Sequence, residues 1–328
     1  MQPLIDISNL AIRFSADDNT RAAVKNISFS IQKSKITAIV GESGSGKSLT
    51  ALSIMQLLPK EASTSGKIEY HDNHQTTNLL SLSSKEIRFF RGKKIAMIFQ
   101  EPMTSLNPMM TIGSQVAEMF ILHQQCNKKK AREATVKLFE EVELPEPAAI
   151  YDRYPHQISG GQKQRVMIAM AISCRPDLLI ADEPTTALDI QVQESILRLL
   201  HSLKEKYGLA ILLISHDLEL VASIADQVLV MYQGELVEQG LPAQILHHPQ
   251  HPYTKALWQC LPRAERKGQR LPVLSDFMDN AQQINHEEKV FELKTIETDN
   301  LSPVLSVQSL VVEFARQKNF WGKTISTT

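Results

Sequence analysis

The segment GESGSGKS, Gly41–Ser48, has the residue types and spacing to hold phosphate groups. Its members are Gly41, Glu42, Ser43, Gly44, Ser45, Gly46, Lys47 and Ser48. Glycines are needed because backbone N–H groups must turn inward around the phosphates, in conformations that a side chain would obstruct. Lys47 would meet the outer phosphates of a nucleotide, and the Ser48 hydroxyl would ligate Mg²⁺. A second chemical segment is DLLIADEP, Asp177–Pro184, an apolar run ending in two adjacent carboxylates. Alone, such a pair could be a solvated turn. Beside a phosphate loop, Asp182 suits the metal ion and Glu183 suits the polarisation of a water that attacks the terminal phosphate. In a third segment, ISGGQKQR at Ile158–Arg165, a serine and paired glycines precede a helical pattern. These residues can present backbone donors to phosphate by the same physics as the first loop.

The elements that must position these groups are legible from periodicity. Ile27–Ile31 alternates apolar and polar residues as a half-buried strand does, and Ile36–Val40 is an apolar, β-branched run ending at the phosphate loop. From Lys47, the positions Leu49, Leu52, Ile54, Met55 and Leu58 mark a helix face that Pro59 should stop. Further apolar runs at Ile95–Phe99, Leu178–Ala181, Ile211–Ile214 and Val228–Met231 alternate with helical patterns, which predicts a mostly parallel sheet covered by helices. Strand signals vanish between Gln100 and Ser159, where Lys128–Val142 has helical spacing, so a helical subdomain is expected there. Asp276–Asn300 has too few large apolar residues for a core and reads as a linker. Beyond it, PVLSVQSLVVEF at Pro303–Phe314 matches Pro3–Phe14 at a constant offset of 300, with Leu10/Leu310 and Phe14/Phe314 identical. A second copy of the first domain beginning there is one reading. A lone strand joining the first sheet is the other.

Composition narrows the function. With 35 basic against 36 acidic residues, the chain has no electrostatic footprint for nucleic acid. Cys126, Cys174 and Cys260 are too dispersed for a metal knuckle or a disulfide framework and read as reduced thiols. Neither a signal peptide at the start nor any stretch near the roughly 20 apolar residues of a membrane span is evident. A transport role would therefore require other chains to form the pore.

ISGGQKQR resembles the signature sequence of ATP-binding-cassette proteins, and the resemblance extends over most of Met1–Pro262. It implies an α/β fold of the P-loop NTPase cassette type, with a mostly parallel sheet, an antiparallel β subdomain at its edge and an inserted helical subdomain at about 101–172. The cassette would fill 1–262, an extension and linker 263–302, and the start of a truncated second cassette 303–328. In the family, Ser159, Gly160, Gly161 and Gln162 act in trans, capping ATP held by the phosphate loop of a second cassette. Three more positions match the pattern: Gln100, which senses Mg²⁺ and links to the membrane subunits; Asp189, which communicates across the dimer; and His216, which contacts the γ-phosphate and positions water. Phe14 matches the aromatic that stacks on adenine, although a core phenylalanine on a first strand fits the residues as well.

FQEPMTSLNPMMTIG at Phe99–Gly113 and HPQHPYTKALWQCLP ending at Pro262 look like the oligopeptide, dipeptide and nickel importer branch. Many relatives carry a cysteine-rich motif after this tail. RLPVLSDFMD follows here instead, so an iron–sulfur cluster is not expected; this, the run Asp152–Gln157 and the apparent second copy resemble the fused two-cassette ATPases of glutathione import, with fused dipeptide or peptide-antibiotic importers as the alternative. The resemblance implies ATP and Mg²⁺ as ligands, two transmembrane permease subunits and a second cassette as partners, indirectly a solute-binding protein, and a peripheral place on the cytoplasmic face of the bacterial inner membrane. The membrane subunits would dock near Gln100–Met119. A DNA-repair ATPase of the same superfamily is disfavoured, because the stretch from Gln100 to Ser159 shows no sustained heptads. A nickel-chelate importer ATPase, or an inactive or partner-dependent remnant of a tandem gene, would also fit these residues.

Overall fold

A computed structural model describes residues 2–16, 19–72, 75–100, 105–186, 188–260, 305–311, 315–318 and 324–327. In chain order these form β1 (Ile5–Ala16), β2 (Asn19–Ile31), β3 (Ile36–Val40), α1 (Lys47–Ile54), β4 (Ala62–Asp72), β5 (Gln75–Asn78), α2 (Ile87–Phe90) and β6 (Ile95–Ile98). Helices α3 (Ile112–Gln124), α4 (Lys128–Glu141), α5 (Pro147–Tyr151) and α6 (Gly160–Ile172) follow. Then come β7 (Leu178–Asp182), α7 (Ile190–Tyr207), β8 (Ala210–Ser215), α8 (Leu218–Ala222), β9 (Gln227–Tyr232), β10 (Glu235–Gly240), α9 (Pro242–His247) and α10 (Pro252–Gln259).

The apolar runs form a six-stranded sheet in the order β10-β9-β3-β8-β7-β6, parallel except for β10. Its strands read as continuous apolar text because both faces are covered. Alternate side chains feed different cores. Ala38, Leu179, Ala181, Ile211 and Leu213 join one core with the helical layer, while Ile39, Leu178, Ile180, Leu212 and Ile214 join another with α1 and the antiparallel sheet. That second sheet has the order β2-β1-β4-β5, and in β2 the residues Val24, Ile27, Phe29 and Ile31 are buried, as the sequence period requires.

Helices α3 to α6 lie in the chain between β6 and β7, adjacent parallel strands, so they form the inserted helical layer. Ile112, Val116 and Phe120 of α3 pack with Leu138 and Phe139 of α4, Ile150 of α5 and Val166 of α6. The close approach depends on Gly113, where a Cβ would stand 2.1 Å from Cγ of Tyr151. In α7, Ile196, Leu199, Leu200 and Leu203 give the buried stripe of an amphipathic helix.

One boundary differs from expectation. Helix α1 ends at Ile54, before Leu58 and Pro59. Gln56 adopts a left-handed φ of 49°, and the bonds Leu57 N–H to Leu52 O (2.9 Å) and Gln56 N–H to Ser53 O (3.1 Å) close a Schellman turn. Arg91 fixes this stop by donating from Nε to Met55 O (2.8 Å) and from its terminal nitrogen to Gln56 O (2.7 Å). The helix is thus ended by a residue far along the chain, which periodicity cannot register.

The described residues from Gln2 to Cys260 lie in one compact unit, and those from Leu305 onward lie in another. Leu305–Val311 has no strand, and Leu305, Val307, Leu310 and Val311 are exposed. The matching β1 residues are buried between β2 and β4, whereas among the described residues Leu305–Val311 pairs with no strand. Downstream, β11 (Ala315–Lys318) and β12 (Thr324–Thr327) form an antiparallel pair. The linker at 263–302 and residues Pro303, Val304 and Phe314 of the repeat lie outside the described residues.

Candidate active site

Parallel pairing gathers the chemical segments. The phosphate loop follows β3, Gln100 follows β6, Asp182 and Glu183 stand at the end of β7, and His216 follows β8. Because β3, β8, β7 and β6 are neighbours running the same way, these ends share one edge of the sheet, about 5 Å apart from strand to strand.

Gly41–Ser48 wraps the start of α1. Gly46 has a left-handed φ of 100°, and a Cβ there would lie 2.9 Å from Ala23 O. At Gly41, a Cβ would meet Met231 O at 2.1 Å, so the loop can lie against β9 only with glycine there. The loop is tied internally by Ser45 N–H to Glu42 O (3.2 Å), and to the turn after β9 by Gly234 N–H to Ser45 O (3.1 Å). No side chain caps the N-terminus of α1, which leaves amide donors and the positive end of the helix dipole directed into the loop. The buried Ser45 hydroxyl also lacks a partner. Lys47 is buried, and its Nζ donates to Gly41 O and Glu42 O at 2.7 Å each. Burial pulls the Lys47 pKa down, against the opposing charges of Glu183, Asp182 and Glu42.

Ser48 Oγ donates to Asp182 Oδ1 at 3.0 Å, joining the loop to the end of β7. Burial pushes the Asp182 carboxyl up, and the Glu183 charge adds to this, while the Ser48 hydrogen bond and Lys47 pull the other way. This part-buried oxygen pair is the donor chemistry that suits Mg²⁺. Among the described residues no group of three or more His, Cys, Asp or Glu could hold a metal. Mg²⁺ is commonly held by one or two protein oxygens together with substrate phosphates and water.

Glu183 holds a left-handed φ of 47°, an uncommon conformation for a residue with a side chain, and its N–H donates to Ile214 O at 3.0 Å. Its Oε2 accepts from Gln100 Nε2 (3.0 Å) and Thr186 Oγ1 (2.9 Å), and His216 Nδ1 stands 3.5 Å away. Three elements therefore aim at one carboxylate oxygen. Glu183 is 14% exposed and His216 is 64% exposed, so the cluster is closed on the protein side and open on the other.

Other candidates lie apart from this cluster. Ser159 caps α6: its Oγ accepts from Gln162 N–H (3.3 Å), and Gln162 Oε1 accepts from Ser159 N–H (3.0 Å). Gly160 and Gly161 begin that helix, with Gly161 tight against Val192 of α7. Asp189 caps α7, accepting from Val192 N–H at 2.9 Å. Phe14 is half-buried against the core under α1 and the antiparallel sheet. Sequence reasoning missed Thr186, Arg91 and Tyr253, whose Oη accepts from Glu42 N–H at 2.9 Å. Tyr253 lies in the HPYTKAL pattern noted above, but its contact with Glu42, like that of Arg91 with Met55 and Gln56, spans a long stretch of chain and has no local signal.

Residues 24–186 match the ABC transporter family, and residues 237–292 match the oligopeptide/dipeptide transporter C-terminal region. The chain belongs to the ABC transporter family. It is 45% identical over 322 residues to the glutathione import ATP-binding proteins of Escherichia coli (strain K12) and Shigella boydii serotype 4 (strain Sb227). Each alignment covers 95% of this chain and 50% of the relative, so the chain spans about half the length of the curated relatives it matches. The cassette is similar in structure to the dimeric bacterial ABC transporter cassette MJ0796, with TM-score 0.64 and 29% identity over 73% of this chain and 98% of that one. A post-hydrolysis dimer of MJ0796 bound to ADP and Pi gives TM-score 0.64 and 27% identity over the same shares. Among the described residues no helix of the cassette is long and apolar enough to cross a membrane.

Proposed function

We propose that this cassette binds and hydrolyses ATP to power import of a small peptide-like solute, glutathione or a di- or oligopeptide, through separate membrane subunits. The observation that carries this is the convergence of Gln100, Thr186 and His216 on Glu183, next to the Ser48–Asp182 pair and the uncapped start of α1. Lys47 exchanges its two loop carbonyls for phosphate oxygens, and the free amides of Gly41–Ser48 complete the grip. Ser48 and Asp182 are the residues that would hold Mg²⁺, which neutralises phosphate charge when bound. Glu183 accepts the proton of the attacking water, while Gln100 and Thr186 fix its carboxylate and His216 orients the water from the open side.

Ser159, Gly160, Gly161 and Gln162 serve the phosphate loop of a second cassette, with Asp189 on the adjoining helix start. The dimeric state of the similar cassette supports this pairing. The proposal extends to two permease subunits docking near Gln100–Met119, at the cytoplasmic face of the inner membrane, and indirectly to a solute-binding protein. A cavity of about 260 Å³ there is lined by Met55, Met97, Phe99, Met119, Met167 and Met170, and Met109 nearby is exposed. Flexible methionines suit an apolar helix inserted between the sheet domain and the helical layer. We also propose the domain limits 1–262, 263–302 and 303–328, the last supported by the offset repeat and by the hairpin of β11 with β12. The test is ATPase activity in membrane-reconstituted complexes offered glutathione, dipeptides or nickel chelates with their binding proteins. Stimulation by glutathione or peptides is expected; stimulation by nickel chelates alone would refute the substrate class, and no MgATP hydrolysis in any complex would refute the activity.

A further inference from the structure

The hydrogen bond from Glu42 N–H to Tyr253 Oη joins the two family regions of the chain, one holding the phosphate loop and the other the C-terminal segment. Tyr253 is fully buried, and its ring stacks on Tyr232 of β9 with centroids 4.2 Å apart and planes at 29°. The segment carrying it is pinned to β10. Glu238 accepts from Gln250 N–H (2.8 Å) through one oxygen and from His251 N–H (3.0 Å) through the other. His251 Nδ1 then accepts from Tyr253 N–H at 3.2 Å, capping α10.

The Glu42 residue is thus held on both sides, its N–H by Tyr253 and its C=O by Lys47. Lys47 is the side of this clamp that must let go when phosphate arrives, so the tyrosine is the anchor that remains. A phenol suits that post: burial pushes its pKa up to about 12, which keeps the hydroxyl neutral through the physiological range. Removing the hydroxyl takes from the part-buried Glu42 amide the partner that the fold supplies, and the loop must shift or take up water to replace it. Such a shift spoils the arrangement of neighbouring amides before any ligand arrives, and binding must then supply the ordering that the fold supplied.

We propose that Tyr253 is a positioning residue through which the C-terminal segment sets the nucleotide affinity of the phosphate loop, an inference that rests on the proposed binding of nucleotide by that loop. Tyr253→Phe in the full chain keeps the ring and its stacking and deletes only the hydroxyl. MgATP affinity by calorimetry is expected to weaken about threefold to tenfold, the worth of one net hydrogen bond. KM for ATP should rise with it while kcat stays unchanged, because Glu183 and its partners are untouched. Amide exchange in the peptide containing Glu42 should accelerate.

Glu238→Ala gives an independent arm, since it releases the segment from β10 without touching the loop, and its affinity should fall in the same direction. Unaltered affinity in Tyr253→Phe, or unaltered exchange at Glu42, overturns the inference, as does a lower melting temperature with KM unmoved. Lys47→Ala separates the tyrosine's role from nucleotide binding itself. If the unsubstituted chain binds MgATP and Lys47→Ala does not, an unchanged Tyr253→Phe sinks the tyrosine's role alone. Failure of the unsubstituted chain to bind MgATP sinks both.

Discussion

Glu183→Gln is the sharpest probe of the hydrolytic site, because the geometry separates its effects on shape from its effect on chemistry. In the folded chain one carboxylate oxygen receives Gln100 Nε2 at 3.0 Å and Thr186 Oγ1 at 2.9 Å, with His216 Nδ1 at 3.5 Å. A glutamine can set its carbonyl oxygen in that position and keep all three neighbours, turning its NH₂ toward the other oxygen's place. Volume is conserved, so neither the left-handed turn at Glu183 nor the Ser48–Asp182 contact has reason to move. What disappears is the ability to take a proton from water. General-base catalysis is worth about 10² to 10⁴ in rate, or about 3 to 5 kcal/mol of barrier. Phosphate release at saturating MgATP should therefore fall by at least about 10²-fold. MgATP affinity, measured on the same preparation, should hold within about threefold, the worth of a single lost contact at most. Turnover within about tenfold of the unsubstituted chain would place the base elsewhere. Loss of binding with turnover would show that Glu183 shapes the site rather than serving its chemistry.

Asp182→Asn should leave the nucleotide-free fold as stable or more so. The folded carboxyl is pushed up by burial first and by Glu183 next, so its ionised form carries a cost once the pH exceeds the ordinary carboxylate value, and asparagine removes that charge while still accepting from Ser48. Thermal melts with and without MgATP check this: the Mg²⁺-dependent gain on adding ATP should vanish in the variant, and a gain equal to the wild type's would exclude Asp182 as a ligand. Asp226 behaves oppositely. Burial raises its carboxyl, but hydrogen bonds from Lys35 and Ile36 N–H, with the charge of Lys204, hold it below the ordinary value. A depressed carboxylate stabilises the fold above its unfolded pKa of about 3.9 and loses that contribution as pH falls through the lower folded value. Asp226→Asn should thus be less stable near neutrality and show a shallower acid limb in denaturation from about pH 5 downward; parallel curves would refute the assignment.

Much of the site was legible because its parts are local. Gly41–Ser48 is a loop whose glycines and lysine are consecutive in the chain, and the strand and helix around it announce themselves by period. The pairing of Ile158–Arg165 with a helix start was equally local, and the structure adds that Ser159 and Gln162 form a capping box there. Phe14 illustrates the opposite case. An aromatic at the end of a first strand is the same letter whether it stacks on a ligand or packs on a core, and only its neighbours in space distinguish the two.

Residue order alone determined which groups could act and which strands and helices carry them, because backbone period, glycine freedom and side-chain chemistry are properties of short segments. Tertiary structure decided their convergence: β6, β7 and β8 bring Gln100, Glu183 and His216 together from positions that span more than a hundred residues. It also decided where α1 stops, through Arg91, and what steadies the loop, through Tyr253. Those partners are set by which surfaces fit once both faces of the sheet are covered, and that fit is a property of the packed whole rather than of any stretch of chain.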